Sequence, residues 1–147
     1  MTKILIDSDV ILDLFLDREP FADQAERVVE EFAARIQGHV TTAALLNIYY
    51  IARKTLGRVT ALDCIRRLLE TDGLEVLAID KHQIQAAMNS EMTDFEDAVQ
   101  AAAAEIAEID FIVTRNIRDF RRSPVPAMTP EELLRKLNTT TEYRKGE

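Results

Sequence analysis

The chain has 147 residues, of which 47% are hydrophobic and 30% are charged, and its formal net charge is −8 at pH 7. This size and composition predict one globular domain with a real core. No apolar run approaches the ~20 residues of a membrane span and no signal peptide is evident, so we expect a cytoplasmic protein. The negative net charge argues against nucleic-acid binding through a broad basic surface. Because Cys64 is the only cysteine, a disulfide framework and a thiolate metal site within the chain are excluded.

The first element to stand out is the stretch from Lys3 to Asp13, KILIDSDVILD. The apolar run 4–6 directly precedes two acids, Asp7 and Asp9, and a run without polar alternation predicts a strand buried on both faces of a parallel sheet. In open α/β sheets ligands bind at the carboxyl ends of strands, so the two acids are candidate site residues. Equally open at this point is a structural role, with Asp9 capping the next helix and Asp7 in a turn.

Helical and strand patterns alternate along the rest of the chain. We predict helices over 10–16, 20–37, 43–56, 61–69, 80–88 and 94–106 and from 129 onward, and strands over 39–42, 75–79, 111–114 and 125–128. Gly38 is the expected end of the second helix, and Thr60 the expected cap of the fourth. This order predicts an α/β fold, a three-layer α/β/α domain over residues 1–137 with a central parallel sheet of four to five strands, followed by a disordered polar tail over 138–147.

A second acidic stretch, EMTDFED, opens the alanine-rich helix. Thr93 and Glu96 match a capping box, which predicts a structural role for Glu96. Asp94 and Asp97 are three residues apart and share one face of the first turn. Because that face continues into a buried row of alanines, these carboxylates need a partner.

The third polar stretch, VTRNIRDF, leaves the fourth strand at its carboxyl end. If this strand lies beside the first, Asn116 or Asp119 faces Asp7. Converging carboxylates repel one another, and a hard divalent cation such as Mg²⁺ or Mn²⁺ relieves the repulsion. Such an ion can activate water and stabilise charge on a phosphate, which predicts metal-dependent phosphodiester hydrolysis.

Other catalytic arrangements are less well supported. His39 and His82 lie far from any serine or cysteine in a nucleophile context, and a structural role is the more common one for lone histidines. The glycines form no phosphate-cradling loop, which argues against a dinucleotide site. A basic cluster, Arg115, Arg118, Arg121 and Arg122, could bind phosphates, although such clusters are more often solvated turns.

The three polar stretches together resemble the PIN domain family of single-domain ribonucleases, typified by VapC-type toxins. The resemblance runs from Ile4 to about Leu134 and is carried by ILIDSDVILDLFLDREPF, TTAALLNIYYIARK and DFEDAVQAAAAEIAEIDFIVTRNIRDFRRSPVPAMTPEELL, in this order. It implies the PIN-like three-layer fold, an Mg²⁺- or Mn²⁺-dependent endoribonuclease acting on RNA, a homodimer, and an antitoxin partner that covers the acidic crevice and supplies an arginine to it.

The resemblance also assigns individual residues. The family's first and third acids fall on Asp7 and Asp97, whereas its second and fourth fall on Asn47 and Asn116, which carry no charge. We therefore expect catalytic roles for Asp7, Asp94, Asp97 and Asn116, cation ligands in Asp7, Asp97 and Asp119, and substrate-binding or supporting roles for Asp9, Asn47, Thr114, Arg115 and Arg118. Tyr49 and Tyr50 could line the antitoxin contact, although packing in the core is the interpretation favoured for them.

Two other functions remain open. The two asparagines at acidic positions favour a PIN-like scaffold that binds RNA or a protein and cuts weakly or not at all. The segment DSDVI also resembles the start of haloacid-dehalogenase-type phosphatases, in which Asp7 would be a nucleophile and Asp9 a general acid. Such enzymes also need a lysine at a later strand end, and Lys81 follows an unsuitable strand.

Overall fold

The computed structural model describes the backbone of residues 1–145 and the side chains of residues 1–139. The strands are β1 (Thr2–Ile6), β2 (Ile36–Thr41), β3 (Leu74–Leu77), β4 (Phe111–Val113) and β5 (Ala127–Met128). The helices are α1 (Ser8–Phe15), α2 (Phe21–Glu30), α3 (Thr42–Leu56), α4 (Arg58–Leu69), α5 (Lys81–Met88), α6 (Phe95–Ile106) and α7 (Pro130–Lys145), and a 3₁₀ helix, Ile117–Phe120, follows β4.

The strands form one sheet in the order β3-β2-β1-β4-β5, and every neighbouring pair is parallel. The first strand lies at the centre, which explains its unbroken apolar run: Ile4, Leu5 and Ile6 are each at most 1% exposed. One face of the sheet packs against α1 to α4 and α7, and the other against α5 and α6. The predicted three-layer α/β/α fold with a parallel sheet is confirmed.

The central position of β1 places its carboxyl end beside the carboxyl end of β4. Its neighbour β4 pairs with it from Ile4 opposite Phe111 to Ile6 opposite Val113. The ladder continues one residue further, where the Asp7 backbone N–H donates to the Val113 carbonyl at 2.9 Å. The condition set by the sequence, that the first and fourth strands end side by side, is therefore met.

The second helix is shorter than predicted. It ends at Glu30, and Ala33 adopts a left-handed backbone with φ of 66° that reverses the chain. Ile36 and Gly38, expected at the helix end, instead lie in β2. A Cβ at Gly38 would come within 2.7 Å of the Phe32 ring, so the glycine makes room for that ring beside the strand. The apolar spacing continued past the true helix end because the turn also faces the core.

Two predicted helix caps are wrong. Gly57 ends α3 and immediately precedes α4, so Thr60 lies inside α4 rather than at its start. Asp94 rather than Thr93 caps α6, because the Asp94 Oδ1 accepts from the Asp97 backbone N–H at 2.9 Å. The predicted capping box with Glu96 is therefore replaced by an aspartate cap, and Glu96 is released for another role.

The last helix begins as predicted and continues beyond the expected boundary. The Thr129 hydroxyl oxygen accepts from the Glu132 backbone N–H at 3.1 Å, as a threonine cap does. The segment from Asn138, expected to be a disordered tail, is helical as far as Lys145. Residues 146 and 147 lie outside the described residues.

Candidate functional site

A pocket of about 260 Å³ lies at the carboxyl edge of the sheet, where β1 passes into α1. Helices α3 and α6 form its other walls. Its lining residues are predominantly polar and acidic: Asp7, Ser8, Asp9, Leu12, Arg18, Asn47, Ile51, Asp94, Glu96 and Asp97. The first and second acidic stretches of the sequence thus meet in one place. We refer to this cavity as the acidic pocket.

Asp7 is the most firmly held carboxylate of the acidic pocket. Its Oδ1 accepts from the Ser8 backbone N–H at 2.8 Å and from Gln100 Nε2 at 2.9 Å, and its Oδ2 accepts from the Thr114 hydroxyl at 2.8 Å. Burial raises the pKa of Asp7, the three hydrogen bonds lower it, and the charge of Asp119 raises it again, with a net increase. Three donors from three different parts of the chain fix the orientation of this carboxylate.

One interpretation of the sequence made Asp9 the cap of α1. Asp7 occupies the cap position instead, and Asp9 lies in the first turn of the helix. Its Oδ2 accepts from Asn116 Nδ2 at 3.0 Å and from the Arg115 backbone N–H at 3.3 Å. Its Oδ1 is buried and has no hydrogen-bond partner among the described residues. Burial first, and the charge of Asp7 second, raise the pKa of Asp9 to about 6.

The acids of the second acidic stretch lie at the start of α6. Burial and then the charges of Asp94 and Asp7 are the main causes that raise the pKa of Asp97 to about 7. Burial and the charges of Asp7 and Asp94 also raise the pKa of Glu96. Glu96, expected to be a capping residue, is therefore part of the acidic pocket and interacts electrostatically with Asp7.

The structure separates the predicted site residues into two sets. Thr114 and Asn116 are hydrogen-bonded to the aspartates described above, Asn47 lines the acidic pocket, and Asp119 lies close enough for its charge to raise the pKa of both Asp7 and Asp97. Arg115 reaches the pocket only through its backbone. Arg118 lines a different surface pocket, next to Arg121.

The Arg115 side chain is partly exposed and interacts with a buried aspartate. Its Nε donates to Asp13 Oδ2 at 2.6 Å and its Nη2 to Asp13 Oδ1 at 3.0 Å. The guanidinium also lies 4.3 Å from the centroid of the Phe21 ring. Because Arg122 lines yet another pocket, the basic cluster of the sequence is not one continuous phosphate-binding surface.

Several residues of the site region were missed by sequence reasoning. Gln100 donates to Asp7 and accepts from the Thr41 hydroxyl at 3.3 Å, and it is 1% exposed. Asp13 is also 1% exposed, and Arg18, 3.6 Å from it, lines the acidic pocket together with Glu96. The available signal was position: Gln100 is three residues after Asp97 on a buried alanine face, and a polar residue there needs a partner.

Histidine and tyrosine have the following positions. His39 is buried, with its Nδ1 3.0 Å from the Ile4 carbonyl, in agreement with a structural role. Tyr49 packs against the core, as favoured. Tyr50 does not, since it is 57% exposed, and Leu46, one helical turn before it, is 63% exposed. This exposed pair adjoins Asn47, at the edge of the acidic pocket.

The donor set of the acidic pocket suits a hard divalent cation. Its carboxylates raise one another's pKa, and two buried oxygens on its wall, Ser8 Oγ and Asp9 Oδ1, have no hydrogen-bond partner within the described part of the chain. Among those same residues, no three carboxylate, imidazole or thiolate groups are arranged to hold a metal ion by themselves. Mg²⁺ commonly needs only one or two carboxylates, with waters and substrate phosphates as its other ligands, so the residues fit the ion.

Comparison with known families decides the classification of the chain. The pattern of the PIN domain family matches residues 3–118, which is more than half of the sequence. The chain belongs to the PIN domain family. The match includes the three polar stretches as far as Arg118, and it agrees with the resemblance found in the sequence. No curated protein sequence matches this PIN domain.

Solved structures share the fold of this PIN domain at low sequence identity. A chain of VapBC2 from Rickettsia felis, bound to a DNA fragment from its promoter, has a TM-score of 0.70 and 14% identity, covering 87% of this chain and 98% of the other. DNA-bound VapBC from Salmonella typhimurium has a TM-score of 0.65 and 18% identity, covering 88% of this chain and 99% of the other. Mycobacterium tuberculosis VapC20, described as a toxin that cleaves the sarcin-ricin loop, has a TM-score of 0.61 and 15% identity, covering 74% of this chain and 86% of the other. At this identity the similarity shows the fold alone.

Within residues 1–145, no helix combines the length and the apolar character required to cross a bilayer.

Proposed function

We propose that this PIN domain is a Mg²⁺- or Mn²⁺-dependent endoribonuclease and the toxin of a toxin–antitoxin pair. The observation that carries the proposal is Asp7, a partly buried carboxylate held by three donors on a pocket wall that it shares with Asp9 and Asp97. Carboxylates brought together in this way, with raised pKa values, are typical of functional sites. RNA as the substrate is inferred from the family and from the toxin structures that share the fold.

Asp7 and Asp97 would hold the cation, and Asp119 would add negative charge nearby. When bound, a divalent cation supplies an activated water and stabilises the negative charge that develops on the phosphate. Glu96 is suited to accept the proton of the attacking water, because its raised pKa makes its carboxylate a stronger base. Arg18 lines the same pocket and is 42% exposed, so its guanidinium can contact the phosphate of the substrate.

The acidic pocket keeps negative charge although two of the family's acidic positions are asparagines in this chain. Asn47 and Asn116 replace carboxylates, but the carboxylates of Asp7, Asp9 and Asp97 remain at or beside the same cavity. Asparagine can still offer its amide oxygen to a cation. The total negative charge therefore supports cation binding.

The partners are proposed from the same neighbours. The structures from R. felis and S. typhimurium are described as VapBC proteins bound to DNA, and another that shares the fold, from Klebsiella pneumoniae, is described as a toxin–antitoxin complex. We propose an antitoxin for this chain as well. The exposed Leu46 and Tyr50 next to the acidic pocket suit the apolar part of such a contact. A basic antitoxin residue would complement the acidic pocket, and a homodimer is proposed on the family resemblance.

A cleavage assay on a structured RNA tests the proposal. The full chain is incubated with RNA in EDTA, Mg²⁺ or Mn²⁺, and compared with Asp7→Asn and Asp97→Asn. We expect cleavage that depends on the cation and falls by a factor of about 10² or more in both variants, because each loses a cation ligand. An Asp72→Asn variant, altered at an exposed residue away from the pocket, is the matched control.

The alternatives predict different results. No cleavage by the wild-type chain at millimolar Mn²⁺, combined with RNA binding, would establish the non-cutting scaffold instead. The phosphatase alternative predicts release of phosphate from a small monoester. It has little structural support, since Arg18 is the only cationic side chain among the described residues of the acidic pocket and no lysine lines it.

A further inference from the structure

Asp9 and Asn116 form a side-chain pair that joins two distant parts of the chain. They are 107 positions apart in the sequence, and their contact is a hydrogen bond of 3.0 Å from Asn116 Nδ2 to Asp9 Oδ2. A carboxylate only accepts hydrogen bonds when ionised, so Asn116 must present its NH₂ group to Asp9. The sequence comparison assigned a catalytic role to Asn116 and a supporting role to Asp9.

The two oxygens of Asp9 have different environments. Oδ2 accepts from two donors, Asn116 Nδ2 and the Arg115 backbone N–H. Oδ1 is buried and has no hydrogen-bond partner among the residues described. A buried carboxylate oxygen without a partner is costly, so a ligand bound to Oδ1 would relieve that cost.

A second unpartnered atom lies on the same wall. Ser8 is 4% exposed, and its Oγ is buried without a hydrogen-bond partner in the described part of the chain. Both Ser8 and Asp9 line the acidic pocket with Asp7. Two adjacent polar groups that are buried and unpaired at one cavity indicate that something else satisfies them, and oxygen donors of this kind suit a hard cation.

From this geometry we infer that Asp9 is a direct ligand of the catalytic cation through Oδ1, and that Asn116 is a positioning residue that holds Asp9 through Oδ2. The inference rests on the proposed cation-dependent function. It reverses the roles that the family pattern assigned to these two positions. The carboxylate that is missing at 116 is supplied from 9, across the hydrogen bond that links the two side chains.

The mutual dependence of the two residues can be measured without RNA. Mn²⁺ binding to the full chain is followed by calorimetry and by electron paramagnetic resonance for wild type, Asp9→Asn, Asn116→Ala and the double variant. We expect Asp9→Asn to weaken binding by about 10-fold or more and to alter the spectrum of bound Mn²⁺. We expect Asn116→Ala to weaken it by about 10-fold, the lower end of the effect of removing an outer-shell partner.

The double variant provides the decisive result. If Asn116 acts only through Asp9, the double variant binds Mn²⁺ as Asp9→Asn alone does, within about 2-fold, because the interaction to be lost is already gone. Additive losses in the double variant, or unchanged Mn²⁺ affinity in Asp9→Asn, would overturn the inference. Asn89→Ala, altered at an exposed asparagine directly after α5, is the matched control and should bind as wild type does.

The outcome also distinguishes this inference from the proposed nuclease function. If wild type binds Mn²⁺ and cleaves RNA while Asp9→Asn keeps full affinity, only the role of Asp9 is refuted. If wild type binds no Mn²⁺, both are refuted. Asp9→Asn preserves the shape of the side chain, so we expect this variant to fold. Thermal unfolding of every compared variant checks that it is folded before affinities are interpreted.

Discussion

The charge of Asp9 should destabilise the folded protein when no cation is bound. Its pKa is about 6 in the folded state against 3.8 for the free side chain. The folded state therefore holds the proton more tightly than the unfolded state does, and stability falls as pH rises from about 4 to about 6. Asp97, with a pKa of about 7, acts in the same direction and extends the fall toward neutral pH.

The size of the effect follows from the shift. About two pKa units at ~1.36 kcal/mol each give about 3 kcal/mol for Asp9. Asp9→Asn removes this cost but also removes a negative charge from the first turn of α1, which stabilises the helix by about 0.3–1 kcal/mol. We expect a net gain of about 2 kcal/mol at pH 8 in EDTA and almost none at pH 4.

Urea unfolding at both pH values measures this gain. With a slope of about 2 kcal/mol/M, the midpoint of Asp9→Asn at pH 8 should rise by roughly 1 M over wild type. Mn²⁺ should then raise the wild-type midpoint more than that of the variant, because the ion stabilises the state that it binds. Equal midpoints at pH 8 in EDTA, or the same gain at pH 4 and pH 8, would refute the reasoning. Asp72→Asn should show no such difference.

Three further predictions concern residues around the site. Asp13→Ala should lower the free energy of unfolding by about 2–3 kcal/mol in urea, because it removes two charge-assisted hydrogen bonds from the Arg115 guanidinium; a loss below 1 kcal/mol would contradict a structural role for the pair. Gly38→Ala should cost about 1–3 kcal/mol, measured by thermal unfolding, because its Cβ would meet the Phe32 ring at 2.7 Å; an unchanged midpoint would mean that the ring moves freely. Thr114→Val should weaken Mn²⁺ binding by about 10–100-fold in a calorimetric titration by removing a hydroxyl donor from a cation ligand, and affinity equal to wild type would rule out that support.

The architecture could be predicted because it depends on patterns that are local in the chain. The apolar run before Asp7 specified a buried central strand, and the alternation of elements specified a parallel sheet. The end of α2 could not be predicted in the same way. Phe32 and Ile36 keep the spacing of a helix although the chain has already turned at Ala33, and periodicity cannot distinguish a core-facing turn from another helical turn.

The sequence indicated several of the side chains that meet at this edge of the sheet, but it did not indicate the hydrogen bonds that join them. Asp7 and Asp97 could be identified because acids next to apolar runs stand out in a sequence. The bonds of Asp7 to Gln100 and of Asp9 to Asn116 join residues 93 and 107 positions apart, and no local pattern encodes such pairs. Glu96 was misassigned for a related reason, since Thr93 and Asp94 are both good caps and only the three-dimensional structure shows which one is used.

The alanine-rich composition of α6 has a consequence for how accurately the pocket is built. Seven consecutive residues from Ala98 to Ala104 are buried, and five of them are alanines. Burying alanine freezes no side-chain rotamer, so the helix loses little side-chain entropy when it packs against the sheet. Its position is determined by backbone contact and not by the repacking of long side chains. Asp97 and Gln100 are both carried on this helix, so an enlarged side chain along its buried face would displace both groups together.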